Sequence, residues 1–224
     1  TVGDTSTCQQ ALQIIYDYNI SVSSNLIKHL ETKSGVLVPQ DIRLSKIQNV
    51  IFAAPSQSLQ AATKMANINY GFKVINLGDA LQGEAREVAR QQAEKAIQIQ
   101  NQLSHTDNPV LLLSGGELTV TKNGNGVGGP NAEFCLALAI FLDQQAGIFG
   151  LAGDTDGVDG ADEIAGAYVT PDTLDHAIKA NISPKESLFQ NDAHSFFGAI
   201  RNQIITGPTF TNVNDFRAIL IYPS

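Results

Sequence analysis

The chain has no tryptophan, one methionine and only two cysteines in 224 residues. Cys8 and Cys135 cannot build a disulfide framework, and no histidine or second cysteine joins them at metal-ligand spacing. That excludes a disulfide-stapled scaffold and a zinc module, and it fits a reducing, cytoplasmic setting. Basic residues are scarce: 14 Lys and Arg stand against 22 Asp and Glu, a net charge of −8. A surface of that sign argues against nucleic acid and anionic membrane as partners. An acidic chain that binds phosphate must do so locally, through backbone amides, a few cations or Mg²⁺. No apolar run reaches membrane-spanning length, and no signal-peptide pattern opens the chain. A GxSxG elbow, a Walker loop ending in Gly-Lys-Ser/Thr and a Cys–His pair are missing too.

What is present is enough apolar sequence, 43%, for a sizeable core in one large domain or one domain with an appendage. The first residue is Thr rather than Met, so the chain is expected to be processed, proteolysed or cut from something longer. Asp4, Thr5 or Ser6 is placed to cap a helix carrying Leu12, Ile14 and Ile15, and a second short helix is expected over about 24–31. Residues 34–46, with Gly35 and Pro39, read as a connector. From Lys46 strands and helices alternate. Residues 49–54 (NVIFAA) predict a buried strand, and Ser56 or Ser58 a helix cap. Gly71 predicts that helix's end, 72–77 the next strand and 83–103 a long amphipathic helix. This β-α-β-α-β order predicts a parallel sheet covered by helices.

The organising stretch is 110–134, VLLLSGGELTVTKNGNGVGGPNAEF. It reads as a hairpin of two strands broken at Ser114-Gly115-Gly116, then a glycine loop, then a helix beginning near Asn131. Glycines that let amides converge on a helix N-terminus form a plausible anion cradle, and the alternative is tight turns needing positive φ. After a strand at 148–152 comes GDTDGVDGADEIAGA, where Asp154, Asp156, Asp159, Asp162 and Glu163 crowd together. Mg²⁺ or Ca²⁺ would compensate such a cluster, and Asx-turns and caps are the other reading. Three short helices are expected after it, then a closing hairpin of 203–205 with 218–222. The polar turn TGPTFTNVND between those strands can grip a ligand or bond to itself. Glu133 suits the first turn of a helix structurally. His29, His105, His176 and His194 read as surface residues.

SGGELTVT, GNGVGGPNAEF, DTDGVDGADEIAGA and TGPTFTNVND, in this order, resemble the C-terminal MOFRL domain of the glycerate kinases typified by bacterial glycerate 2-kinases, a class also labelled hydroxypyruvate reductase. TVGDTST and NVIFAAPSQSLQAATKMA resemble earlier parts of the same family. The resemblance implies an α/β fold of three layers with a mixed, mainly parallel sheet. Residues 1–45 would be the helical tail of an N-terminal glycerate kinase domain, and 46–224 the C-terminal domain, with the MOFRL motifs in about 110–220.

The implied activity is ATP-dependent, Mg²⁺-assisted phosphorylation of D-glycerate, with the N-terminal domain as partner and a homodimer as a further one. By the same resemblance Asp156, Asp159 and Glu117 are catalytic candidates, and Asp154 with Asp156 would hold metal. Ser114, Gly115, Gly116, Gly126, Gly128, Gly129, Asn131, Thr155, Thr209, Thr211 and Asn212 would bind substrate or phosphate. Two residues depart from the pattern: Pro130 stands where the family has Arg, and Phe210 where it usually has Gly. The family's N-terminal half, with its cleft-facing lysine, would precede Thr1. The chain alone is therefore expected to be catalytically weak or dead. A non-catalytic anion-binding or interaction domain is the alternative, and a hydroxypyruvate reductase the weaker one.

Overall fold

The computed structural model describes residues 2–32, 35–160 and 162–224. Thr1, the expected connector's first residue Ser34, and Lys33 and Ala161 lie outside them. The chain divides into two compact units, Thr1–Phe52 and Ala53–Ser224.

In the first unit α1 (Cys8–Asp17) and α2 (Ser24–Thr32) pack on each other. Thr7, not Asp4, Thr5 or Ser6, caps α1: its hydroxyl accepts from the Gln10 amide while the Gln10 side chain accepts from the Thr7 amide. Neither helix buries a single residue. The connector holds a short 3-10 turn at Ile42–Leu44. The strand expected at 49–54 does not form. Ile51 and Phe52 are 80% and 89% exposed. An apolar run becomes a strand only when a neighbouring ladder takes its backbone groups, and none does so here.

The second unit is built on one mixed sheet. Its elements are α3 (Pro55–Tyr70), β1 (Lys73–Asn76), β2 (Leu81–Glu84), α4 (Ala85–Gln100), β3 (Val110–Thr119), α5 (Pro130–Leu142), β4 (Ile148–Asp154), β5 (Gly166–Val169), α6 (Thr173–Lys179), α7 (Pro184–Phe189), α8 (Ala193–Ile200), β6 (Gln203–Ile204) and β7 (Asp215–Ile221). Ala54 rather than a serine precedes α3, and Gly71 ends it in the left-handed region. The strand order is β1-β3-β7-β4-β5-β6, with β2 beside β3. β1 and β2 pair in parallel with successive halves of β3, and β3–β7, β7–β4, β4–β5 and β5–β6 are antiparallel. The α/β class and the mixed sheet are as expected, but parallel pairing is confined to the β1/β2 edge. The expected closing hairpin is replaced as well: β6 pairs with β5, and β7 inserts between β3 and β4. Because both neighbours run antiparallel to β7, β3 and β4 share a direction, and α5 carries the chain across between them.

The expected break at Ser114-Gly115-Gly116 is no hairpin either. β3 runs unbroken through it as a ten-residue strand. Gly116 sits at φ +103°, and a Cβ there would lie 2.2 Å from the Leu81 carbonyl oxygen, where β2 resumes the edge. The helices form layers on both faces. A Cβ on Gly115 would meet Leu59 of α3 at 3.6 Å. Its neighbour Ser114 accepts a bond from Gln92 of α4 on the other side. Next to α4 lies α5, PNAEFCLALAIFL, which touches α4, β4, β5, α7 and α8 and buries residues on every side. That is why it is apolar all round rather than along one stripe.

Two expectations follow. Gly116→Ala combines a forced positive φ with a backbone clash and should destabilise the second unit by about 3 kcal/mol or more, read by chemical denaturation. Phe210 is held at φ +57° and is 99% exposed, so it loses no packing when truncated. Phe210→Gly should therefore stabilise the chain by about 1 kcal/mol in the same measurement.

Candidate active site

Strand register brings the distant motifs together. Gly116 of β3, Asp215 of β7 and Asp154 of β4 lie side by side in one row across the sheet. One register step inward comes Gly115–Phe216–Gly153, and then Ser114–Arg217–Ala152. The row closes the C-terminal end of β4 and overlies the N-terminus of α5, the end of an α/β sheet where ligands usually bind.

Beneath it lies a buried polar core. Arg217 is fully buried: Nη1 donates to Asp215 Oδ2 at 2.9 Å, Nη2 to the Gly115 carbonyl at 2.7 Å, and the guanidinium lies 5.9 Å from the Phe134 ring centre. Burial lowers the Arg217 pKa and raises that of Asp215, each opposed by the attraction of the other. Asn131 bridges two carboxylates, its Nδ2 donating to Asp215 at 2.8 Å and Asp159 at 3.2 Å. Among the described residues Asn131 Oδ1 and Arg217 Nε are buried without a partner.

Asp159 is buried at the start of α5. It accepts from the Asn131 amide at 2.9 Å and the Ala132 amide at 2.8 Å, and lies 3.3 Å from His194 Nε2. The positive end of α5 is thus filled by the protein's own carboxylate. The glycine loop is likewise turned inward. Asn191 Oδ1 accepts from the amides of Asn123 and Gly124, Gln190 O from Gly126, and Asp192 Oδ1 from Val127. Gly124, Gly126, Gly128 and Gly129 do not adopt positive φ. Three of them are glycine because a Cβ would strike another backbone or side chain: on Gly129 it would lie 2.4 Å from Asp159, and on Gly126 2.4 Å from Asp192. The loop is neither an open anion cradle nor a set of left-handed turns. Pro130 is the first residue of α5, where its missing N–H costs nothing.

Two loops face outward from the row. Thr155 Oγ1 donates to the Asn214 carbonyl and accepts from the Val213 amide. Thr209 Oγ1 donates to the Thr155 carbonyl, and Asn212 Nδ2 to Asp156 Oδ2 at 2.9 Å. Residues 154–157 and 206–215 are therefore one interlocked rim, with Thr209, Thr211 and Asn212 exposed on it. Asp154 is the poised group. Burial chiefly, with the charges of Asp156 and Asp215 added, pushes its pKa up to about 6 against the pull of the Asp156 amide. Among the described residues no three acidic, His or Cys side chains are arranged to hold a metal. The pair Asp154 and Asp156 still suits Mg²⁺, which one or two carboxylates hold together with substrate phosphates. Glu117 stands exposed on β3, one residue beyond the row.

The structure thus brings Ser114, Gly115, Gly116, Asn131, Asp154, Thr155, Asp156, Asp159, Thr209 and Asn212 to one end of one sheet. It also supplies members that sequence reasoning missed. His194 is buried, not a surface residue, and its partners are 32 and 35 residues away with no local signal. Arg217 did carry a signal: Asp215 and Arg217 precede Ile219 and Ile221 on one face of an alternating strand, which makes them buried polar residues. Glu133 is structural as expected, bonded by Arg86 at 2.6 Å and Asn191 at 2.9 Å.

Residues 110–215 match the MOFRL family. A protein of Agrobacterium vitis, provisionally named a hydroxypyruvate reductase, is 42% identical over 99% of the chain and 50% of its own length. The D-glycerate 2-kinase of Thermotoga maritima is 30% identical over 95% of the chain and 49% of its own length. A crystal structure of glycerate kinase from Thermotoga maritima superposes with a TM-score of 0.83 at 29% identity, covering 97% of the chain and 51% of that protein. The chain spans about half the length of these relatives. Residues 110–215 thus carry a MOFRL-family region, and the whole chain is similar to about one half of each glycerate kinase it matches.

Proposed function

We propose that the second unit forms one wall of the active site of an ATP-dependent kinase that phosphorylates D-glycerate, at the 2-hydroxyl. The observation that carries this reading is the convergence of three of the four motifs on the Gly116–Asp215–Asp154 row, which the remaining motif reaches through Asn131. Asp154 and Asp156 would hold Mg²⁺, which when bound neutralises phosphate charge; the protein's remaining task is positioning. The rim of Thr155, Thr209, Thr211 and Asn212 orients substrate oxygens, and Glu117, exposed one residue beyond the row, is the remaining catalytic candidate. Asp159 acts by holding the loop to α5 rather than by touching substrate. With Pro130 in place of Arg and Arg217 committed to Asp215, neither residue offers a cation to the glycerate carboxylate. In this reading that charge comes from a neighbouring domain.

The first unit supports the same reading. Two helices without one buried residue, ending in an exposed Val50-Ile51-Phe52 run, make no core of their own. Residues 1–45 would pack into the N-terminal domain, and the chain alone would be inactive. That missing core is also what favours the second reading, a non-catalytic interaction domain. A reductase is disfavoured, because the amides a dinucleotide pyrophosphate would need are already bonded to Asn191, Gln190 and Asp192.

Intact mass of the protein from its source, set beside a glycerate-dependent ADP-release assay, tests the proposal. Activity is expected from a protein about twice 23.9 kDa and none from the 224-residue chain. Ordinary turnover by the chain alone, or a longer protein that releases no ADP with D-glycerate, would contradict it. In the chain itself Asp154→Asn should raise the denaturation midpoint at neutral pH, because it removes one of three mutually repelling carboxylates. In an active full-length protein the same change should lower kcat.

A further inference from the structure

The aspartate loop is clamped from the side by α8. His194, 2% exposed, puts Nε2 3.3 Å from Asp159 Oδ2 and Nδ1 3.3 Å from Asp162 Oδ2. We infer that His194 is a positioning residue that grips Asp159 and Asp162 at once, and that the grip is complete only while both ring nitrogens carry protons.

The argument is one of proton counting. A carboxylate only accepts, so two carboxylates at the two ring nitrogens require two N–H donors, which imidazole has only as the cation. When the cation loses one proton, a lone pair faces a carboxylate oxygen. Asp159 cannot yield, because the Asn131 and Ala132 amides and Asn131 Nδ2 also hold it. Asp162 can, since its side chain is 45% exposed. Gly157, at φ +96°, precedes the segment that would then loosen, and Gly160, at φ +83°, lies within it. That segment follows directly on Asp154 and Asp156, so the clamp bears on the proposed metal-holding pair.

Other charges around the ring are accounted for. On α5, Glu133 is taken by Arg86 and Asn191. Asp192, just before α8, holds Ser195 and the Val127 amide. Strand β6 brings no charge, and its Gln203 donates to the His194 carbonyl rather than to the ring. On α6 stand Asp175, His176 and Lys179, and on α7 Lys185 and Glu186, none with a hydrogen bond to the ring among the described residues. Burial works against the charged ring, but the two carboxylates outweigh it and its pKa is raised. The sign follows: the clamp is closed below the ordinary histidine value of about 6.5, and its contribution is lost as pH rises through the higher folded-state value.

The functional weight of the clamp rests on the kinase reading, but its test does not. Nitrogen-15 NMR of the His194 ring in the 224-residue chain should show both nitrogens protonated at about pH 6.5. Amide exchange at 162–164, corrected for intrinsic base catalysis, should quicken several-fold as the ring titrates. Asp162→Asn, an exposed change that leaves the α5 cap intact, should lower the ring's titration midpoint and abolish that step in exchange. His194→Gln should show fast loop exchange at all pH values where it folds. A single neutral tautomer near pH 6.5, or a pH step that persists unchanged in Asp162→Asn, would overturn the inference whatever the outcome of any kinase assay.

Discussion

The arrangement depends on one buried ion pair. Arg217, fully buried, and Asp215, 5% exposed, sit two residues apart on β7, inside the sheet. Desolvating both charges is expensive, and removing one partner of such a pair typically costs about 3–5 kcal/mol. The compensation comes from elsewhere in the chain: the Gly115 carbonyl accepts the other arm of Arg217, and Asn131 donates to Asp215. The pair therefore holds β3, β7 and the start of α5 in a single register. A shift of one residue in β7 would put Phe216 and Ala218 on the face that Asp215 and Arg217 now occupy.

From that pair the polar network runs through buried residues and ends at the part-exposed Asp162. Asn131 passes from Asp215 to Asp159, Asp159 caps α5, and His194 joins it to the part-exposed Asp162. Positive charge is spent inside, on Arg217, Arg86 and the helix terminus. The carboxylates Asp154 and Asp156 are left on the rim with surplus negative charge. A rim of that kind suits a cation-bridged anionic ligand better than a bare one, since the amides that would cradle a bare anion are occupied.

The two units differ in self-sufficiency. The second has a continuous core in which α5 is buried on every side, and the chain closes it by returning β7 to the centre of the sheet. The first has helices with sound capping and amphipathic sequence but nothing of its own to bury them against. Capping and periodicity are local and cheap to satisfy, whereas a core needs area that about 50 residues rarely provide.

Much of this was legible in the sequence because it rests on local causes. Periodicity located α3, α4, α5 and β4 to within a few residues, Gly71 ended its helix, and the four motifs pointed to a family. What the sequence could not decide was pairing. The run at 49–54 has the apolar content of a strand but no ladder to join, and β6 and β7 look like a hairpin but belong to different parts of the sheet. Nor could it show that the glycine loop faces Asn191 and Asp192 rather than a ligand, or that His194 meets Asp159 and Asp162. Those outcomes are set by contacts between residues far apart in the chain. The periodicity of a segment says that it needs a partner, and only the tertiary structure decides which partner it gets.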